Sequence, residues 1–526
     1  MGQNNSKDNS NSFEQISIKN IQDLISQSKD VNYKNYNNET FLHFACQNQN
    51  ENPIEIIKDL IKKGLDINAK TKDYEQTPLH YVCKSQNKNL LEILNILIEN
   101  GADVNAKTKE NQTPLYFACL YQQPNLFEII QFLVLKGADV NVKTNKNQTP
   151  LHFVCRFENS NSFEIIQFLI SKGADVNVKT SDNETCLHFA CRFGNQKQLE
   201  IVKFLVSKGL DVNAKNIHEE TPFHLICKIK SQNLFGMIEF FVSNGVDVNA
   251  KNNYNQTALH LICENENQNQ YQHQQSIKIV KFLISKGADV NVQTKDNQET
   301  PLLLIFRNKY EYQIHNPNEN PNLFEIIKIL IKNKTDVNAK NNFGETPLHY
   351  ACKSLSQNSF EIVKILVENG ADVNAKKNYN LETPLHFICR SQKKDDNTVK
   401  IIKFLVENGA DINVNTKSNE TPLHLICQYQ YGFQNISQNL FEITKLFVEN
   451  GADVNAKNYY QETPLHFICQ SLNEDSNSFE IAQLFLSKGA DVNAKTNTNK
   501  TPLSLAIIFL ILKLNQLILL NSKFIN

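Results

Sequence analysis

The sequence has no excess of charge of either sign: 54 basic residues face 55 acidic ones. A chain so balanced offers no bulk attraction to nucleic acid or to an anionic membrane. Its first twelve residues, MGQNNSKDNSNS, carry no apolar run. No secretory signal is therefore expected, and the expected address is the cytoplasm. The twelve cysteines then read as reduced thiols and not as a disulfide framework. Asn-x-Thr triplets such as Asn147-Gln148-Thr149 read as structural and not as glycan acceptors. Glycine is sparse as well, at 16 residues, and no glycine-rich phosphate loop, dinucleotide fingerprint, Gly-x-Ser-x-Gly elbow or kinase signature set can be assembled. What remains is 526 residues, 40% hydrophobic and 21% charged. That is ordinary for folded protein but too long for one compact core.

What is present is repetition. Thr149-Pro150-Leu151-His152-Phe153-Val154-Cys155 has counterparts whose leading Thr falls at 40, 77, 113, 149, 185, 221, 257, 300, 346, 383, 421, 463 and 501. A second signature, Gly173-Ala174-Asp175-Val176-Asn177, follows every copy but the last, and in the regular stretch the period is 36 residues. Thr149 suits a helix N-cap with Pro150 at the first helical position. Leu151, Val154 and Cys155 then share one face. A second helix is expected to open at Asn161, with Glu164 three residues on in a capping-box pattern. The same pattern stands at Asn52/Glu55, Asn89/Glu92, Asn125/Glu128, Asn322/Glu325, Asn358/Glu361, Asn439/Glu442 and Asn477/Glu480. Phe163, Ile166 and Ile170 are expected to form the apolar stripe of the second helix, and Gly173 its left-handed C-cap. One helix pair cannot bury its own apolar face, but stacked pairs can.

The Thr-Pro-Leu-His and Gly-Ala-Asp-Val-Asn signatures resemble the ankyrin repeat, over roughly residues 13–512. The resemblance implies an all-α repeat solenoid of helix-turn-helix units with β-hairpin fingers between them. It implies protein binding through finger tips and the concave helix face, with the signature Thr and His making structural hydrogen bonds. The expected organisation is a flexible tail (1–12), a partial capping repeat (13–39), an array of about twelve repeats (40–500) and a C-terminal partial capping repeat (501–526). The family repeat is shorter than these. Thr to Gly is usually 24 positions here and reaches 30 from Thr257 to Gly287 and from Thr421 to Gly451, so the extra length is expected between the two helices. The longest insert, around Asn308 to Asn322, falls in an irregular repeat where Leu303 replaces His, Phe306 replaces Cys and Lys334 replaces Gly; a bend is expected there.

His-x-x-Cys recurs in ten repeats, as in His43/Cys46. Zinc is one reading of that spacing. The structural reading is stronger, because equivalent positions in neighbouring repeats lie about one helix spacing (~8–10 Å) apart, too far to share a metal or a disulfide. No metal, cofactor or catalytic residue is expected, and the chain does not read as an enzyme. A basic ladder follows the Cys position at Lys84, Arg156, Arg192, Lys228, Lys353 and Arg390, with Arg307 in the irregular repeat. Such a row suits an acidic partner, although local pairing with carboxylates explains it better. The finger tips vary most and carry aromatics at Tyr36, Tyr74, Tyr254, Phe343, Tyr379, Tyr459 and Tyr460, which serve either as recognition residues or as packing between fingers.

At the N-terminus, Gly2 with Ser6 matches the myristoylation pattern, which is short enough to match by chance. One acyl chain gives only weak, reversible membrane attachment. The apolar C-terminus, from Leu503 to Leu520, begins with Thr501-Pro502-Leu503 and so reads as a capping repeat before a membrane segment. The expectation is a monomeric, non-catalytic scaffold for protein partners, with no nucleic-acid partner. The rivals are a membrane-proximal adaptor tethered through Gly2 and an accessory, substrate-recruiting subunit of an enzyme complex such as a ubiquitin ligase.

Overall fold

The structure is a computed structural model and describes residues 33–48, 52–121, 125–156, 161–192, 197–229, 231, 233–265, 273–307, 321–353, 358–391, 395–428, 437–470 and 478–507. It divides into two compact units, residues 1–247 and 248–526. In the first, helix pairs run from Phe41–Gln47 with Ile54–Lys62 to Pro222–Lys228 with Leu234–Ser243. In the second, they run from Ala258–Asn265 with His273–Ser285 to Pro464–Gln470 with Ser478–Ser487, and a last short helix occupies 502–507. Within each unit, first helices pack on first helices and second helices on second helices.

Each first helix starts where the signature Thr places it. Thr40, Thr77, Thr221 and Thr383 are extended N-caps in reciprocal capping boxes with His43, His80, His224 and His386, so histidine takes the place usually held by Glu or Gln. These helices are buried nearly all round. In Pro150–Arg156, for example, every residue before Arg156 is buried. The second helices bury one stripe only, and here the structure corrects the expected register. In Ser162–Ser171 the buried residues are Ser162, Ile165, Ile166 and Leu169, while Phe163 and Ile170 are half-exposed.

The Asn-x-x-Glu capping boxes do not form at Asn89, Asn125, Asn161 or Asn358. None of these side chains caps its helix. Their ψ angles lie between 6° and 41°, outside the extended region from which an N-cap side chain reaches the first-turn N–H groups. Glu164 instead binds Lys197 Nζ of the next repeat at 2.9 Å. Helix ends do follow expectation. Gly173 has φ +88°, and Lys334 adopts φ +63° in the irregular repeat, where no glycine is available. Leu303 and Phe306 replace the signature His and Cys there as fully buried core residues.

The fingers are turns and not ladders: no strand is present among the described residues. In one finger, Thr108 N–H donates to Gln112 O and Gln112 N–H to Thr108 Oγ1, each at 3.0 Å, around Asn111 at φ +58°. A single bond, Lys109 N–H to Tyr74 O at 3.0 Å, joins it to the preceding finger. One backbone bond per neighbour, joined in places by an Asn side chain such as Asn145 on Lys109 O, ties fingers together without building a sheet.

Part of the extra repeat length lies in the second helices. His273–Ser285 and Ser437–Glu449 have 13 residues each where Ser162–Ser171 has 10. All three end two residues before the cap glycine, so the growth is at the N-terminal end. Residues 308–320, where a bend is expected, lie outside the described residues, as do Gly2 and the C-terminus beyond 507. Among the described residues no helix is long and apolar enough to cross a membrane.

Candidate interaction surface

Two polar ladders hold the repeats in register and so place the finger tips. In the first, Asn68 Nδ2 donates to Gly101 O at 2.9 Å while its Oδ1 accepts Asp103 N–H at 2.8 Å. The same pair of bonds recurs at Asn105, Asn338 and Asn413, which explains the Asn of the Gly-Ala-Asp-Val-Asn signature. In the second, a buried histidine donates through Nε2 to a carbonyl of the next repeat. His80 reaches Gln112 O at 3.1 Å, and His386 reaches Glu420 O at 3.2 Å. Burial lowers the imidazole pKa to about 4 at His80, His260, His349, His386 and His424, so these rings are neutral.

The tip aromatics stand clear of this framework. Tyr36, Tyr74, Tyr254, Phe343, Tyr379, Tyr459 and Tyr460 are all exposed, from 49% at Phe343 to 86% at Tyr36. Tyr459 and Tyr460 meet edge to face, and Lys72 lies over the Tyr36 ring. Their backbones, by contrast, are pinned. The carbonyls of Tyr74, Tyr254, Phe343 and Tyr460 accept N–H groups of Lys109, Lys295, Asn378 and Asn497 in the following fingers, at 2.8–3.0 Å. Each of these four exposed rings therefore springs from a fixed backbone.

The basic ladder occupies the last turn of the first helices, and four of its members are spent on carboxylates. Arg192 pairs with Glu184, Lys228 with Glu220, Arg307 with Glu299 and Arg390 with Glu382, each carboxylate lying eight residues upstream, just before the signature Thr. Lys353 lies over the Phe387 ring, and Arg156 is exposed at its helix end. Lys84 differs from those four because Gln76 stands where they have Glu. Its ammonium reaches Gln76 Oε1 at 3.3 Å and covers the Tyr81 and Phe117 rings at 5.5 and 5.6 Å. Burial lowers its pKa.

Around Lys84 the first unit has a cleft of about 480 Å³, walled by fingers and floored by first helices. Tyr74 and Lys84 meet in it, together with Tyr81, Phe117 and Tyr121, which the sequence reading did not single out. Tyr81 Oη donates to Glu39 Oε1 at 2.5 Å, and burial together with that carboxylate raises the phenol pKa. A signal for these rings was present: the residue after the signature His is aromatic at Phe44, Tyr81, Phe153, Phe189, Tyr350, Phe387 and Phe467. Several of these rings meet the preceding histidine edge-on, as Phe117 does His80. The second helices add a half-exposed seam of rings, with Phe127 against Phe168, Phe163 against Phe204 and Phe360 against Phe404.

All twelve cysteines are buried thiols, and burial raises the pKa of most, Cys469 to about 11. Among the described residues no three His, Cys, Asp or Glu side chains are placed to hold a metal ion.

No curated protein matches the chain. The family model for ankyrin repeats, in three copies, matches it in overlapping segments from 13–108 and 42–144 through to 395–496 and 434–525. With that coverage, the Thr–His capping boxes and the paired ladders settle the family: the chain belongs to the ankyrin repeats.

Proposed function

We propose that this chain is a non-catalytic, monomeric cytoplasmic scaffold that holds protein partners by its finger tips and by the helix-floored groove behind them. Ankyrin repeats are in general protein-interaction modules. The observation that carries the reading is the contrast at the tips, where exposed rings at Tyr74, Tyr459 and Tyr460 stand on backbones fixed by inter-finger bonds. A ring presented this way loses little freedom on binding, and aromatic anchors dominate interface energies. Of the ladder residues, Lys84 is offered for binding in the cleft, whereas Arg192, Lys228 and Arg390 serve their own carboxylates. The array at 40–500, between partial repeats at 13–39 and 501–526, is the binding body in this reading. A tether through Gly2 belongs to the same proposal as an added anchor.

The test is affinity purification of the full-length chain from its own cells beside a variant with Ala at Tyr74, Tyr379, Tyr459 and Tyr460. Loss of a stoichiometric protein from the variant supports the scaffold. Retention of enzyme-complex subunits through a terminal segment, indifferent to the tips, favours the accessory-subunit reading.

A further inference from the structure

Eleven of the twelve cysteines stand at the repeat's own Cys position; Cys186 does not. It occupies the place of the signature proline, in Thr185-Cys186-Leu187-His188. The helices Pro150–Arg156 and Cys186–Arg192 pack against each other. That contact brings Cys186 against His152 and Cys155, three side chains each at most 1% exposed. The same substitution coincides with a break in the histidine ladder. In eight other repeats the histidine Nε2 binds a carbonyl of the next repeat. His152 Nε2 is buried and has no such partner, while its Nδ1 stays 2.9 Å from Thr149 Oγ1 as in its counterparts. An unpartnered ring nitrogen therefore faces a thiol that itself touches a second thiol.

We propose that Cys186 and Cys155, with the N–H of His152 Nε2 turned toward the Cys186 sulfur, form an oxidisable dithiol that hydrogen peroxide converts to a disulfide joining two adjacent repeats. Cys186 sulfur attacks one peroxide oxygen, and the Nε2–H of His152 favours the negative charge that develops on that sulfur. The S–O bond forms, the O–O bond breaks, and the departing oxygen takes the Cys186 proton and leaves as water. Cys155 sulfur then attacks Cys186 sulfur. The S–S bond forms, the S–O bond breaks, and hydroxide leaves with the Cys155 proton as a second water. Two thiols lose two electrons and one peroxide becomes two waters.

The electrostatics agree with this direction. A hydrogen bond from Cys155 holds the Cys186 thiol well below the usual thiol range, against the effect of burial and with help from His152, whereas burial pushes Cys155 up. Burial also makes the site selective. Oxidation has to wait for the two first helices to part, and the other cysteines, at equivalent positions about 8–10 Å apart, lie beyond disulfide reach of one another.

The experiment treats the native full-length protein with hydrogen peroxide, alkylates the remaining thiols, unfolds the chain and maps its peptides by mass spectrometry. The expected result is loss of two alkylatable thiols per chain and one crosslinked peptide pair containing Cys155 and Cys186. The crosslink should be absent from Cys186→Pro, which restores the repeat's Thr-Pro-Leu-His and keeps the fold by circular dichroism. Native protein that keeps both thiols free, or oxidises them separately without a crosslink, overturns the proposal.

Discussion

His386 Nε2 donates to the carbonyl of Glu420, 3.2 Å away in the next repeat, while its Nδ1 accepts the Thr383 backbone N–H at 3.1 Å. One ring thus caps its own helix and bonds its neighbour. Replacing it with Ala leaves a buried N–H and a buried carbonyl unsatisfied and opens a void. The expected cost is about 2–4 kcal/mol, read from the urea midpoint of His386→Ala.

The same rings make stability depend on pH. Five imidazoles sit at about 4 in the folded chain, against 6.5 for an ordinary imidazole. The unfolded state therefore binds more protons than the folded state between those values. Their contribution is fully present above pH ~6.5 and is lost as pH falls through about 4. The urea midpoint should drop between pH 6.5 and 4, and His386→Ala should show a shallower drop than the parent. Identical slopes would remove histidine as the cause.

Glu382 is nearly buried beside Arg390, whose side chain is 39% exposed. Arg390→Ala strands that carboxylate, so a loss of about 1–2 kcal/mol is expected, discounted for the exposed partner. Glu382→Gln should cost less, since Gln76 already serves beside Lys84. A double-mutant cycle by urea unfolding separates the pair's coupling from the cost of stranding one charge.

Leu381 has φ +60° and Lys334 φ +63°. Both are side chains in a backbone region that suits glycine. Leu381→Gly and Lys334→Gly should each raise stability by about 1 kcal/mol, checked by thermal melting; unchanged or lower midpoints would show that the side chains contribute more than the backbone loses.

Tyr459 and Tyr460 touch each other, and both rings are exposed. Alanine at both should move the melting temperature little, on the order of 0.5 kcal/mol, while abolishing capture of the partner.

The repeat was readable because its strictest demands are one residue wide. Thr149 starts a helix and Gly173 ends one through backbone requirements that no neighbour can waive. Asn161 misled because Asn-x-x-Glu is only a local pattern, and its ψ of 8° lies outside the extended region an N-cap side chain needs. Phe163 misled by one position. Which stripe of a second helix is buried depends on the next repeat, where Phe204 receives its edge. For the basic ladder, the pairing partners lie eight residues upstream across the finger-to-helix corner, a contact made only by folding. The tip aromatics were legible as exposed, whereas the Lys84 cleft depends on Gln76, Tyr81, Phe117 and Tyr121 coming together from two neighbouring repeats.

The histidine ladder has a consequence for how such a chain can change its length. Its acceptors are main-chain oxygens, so Gln112, Glu220 and Glu420 serve alike whatever side chain they carry. A repeat copied or removed as a whole leaves its neighbours facing the same atoms at the same distances. The joints are interchangeable, and the number of repeats is free to drift by duplication while each finger tip diverges by itself.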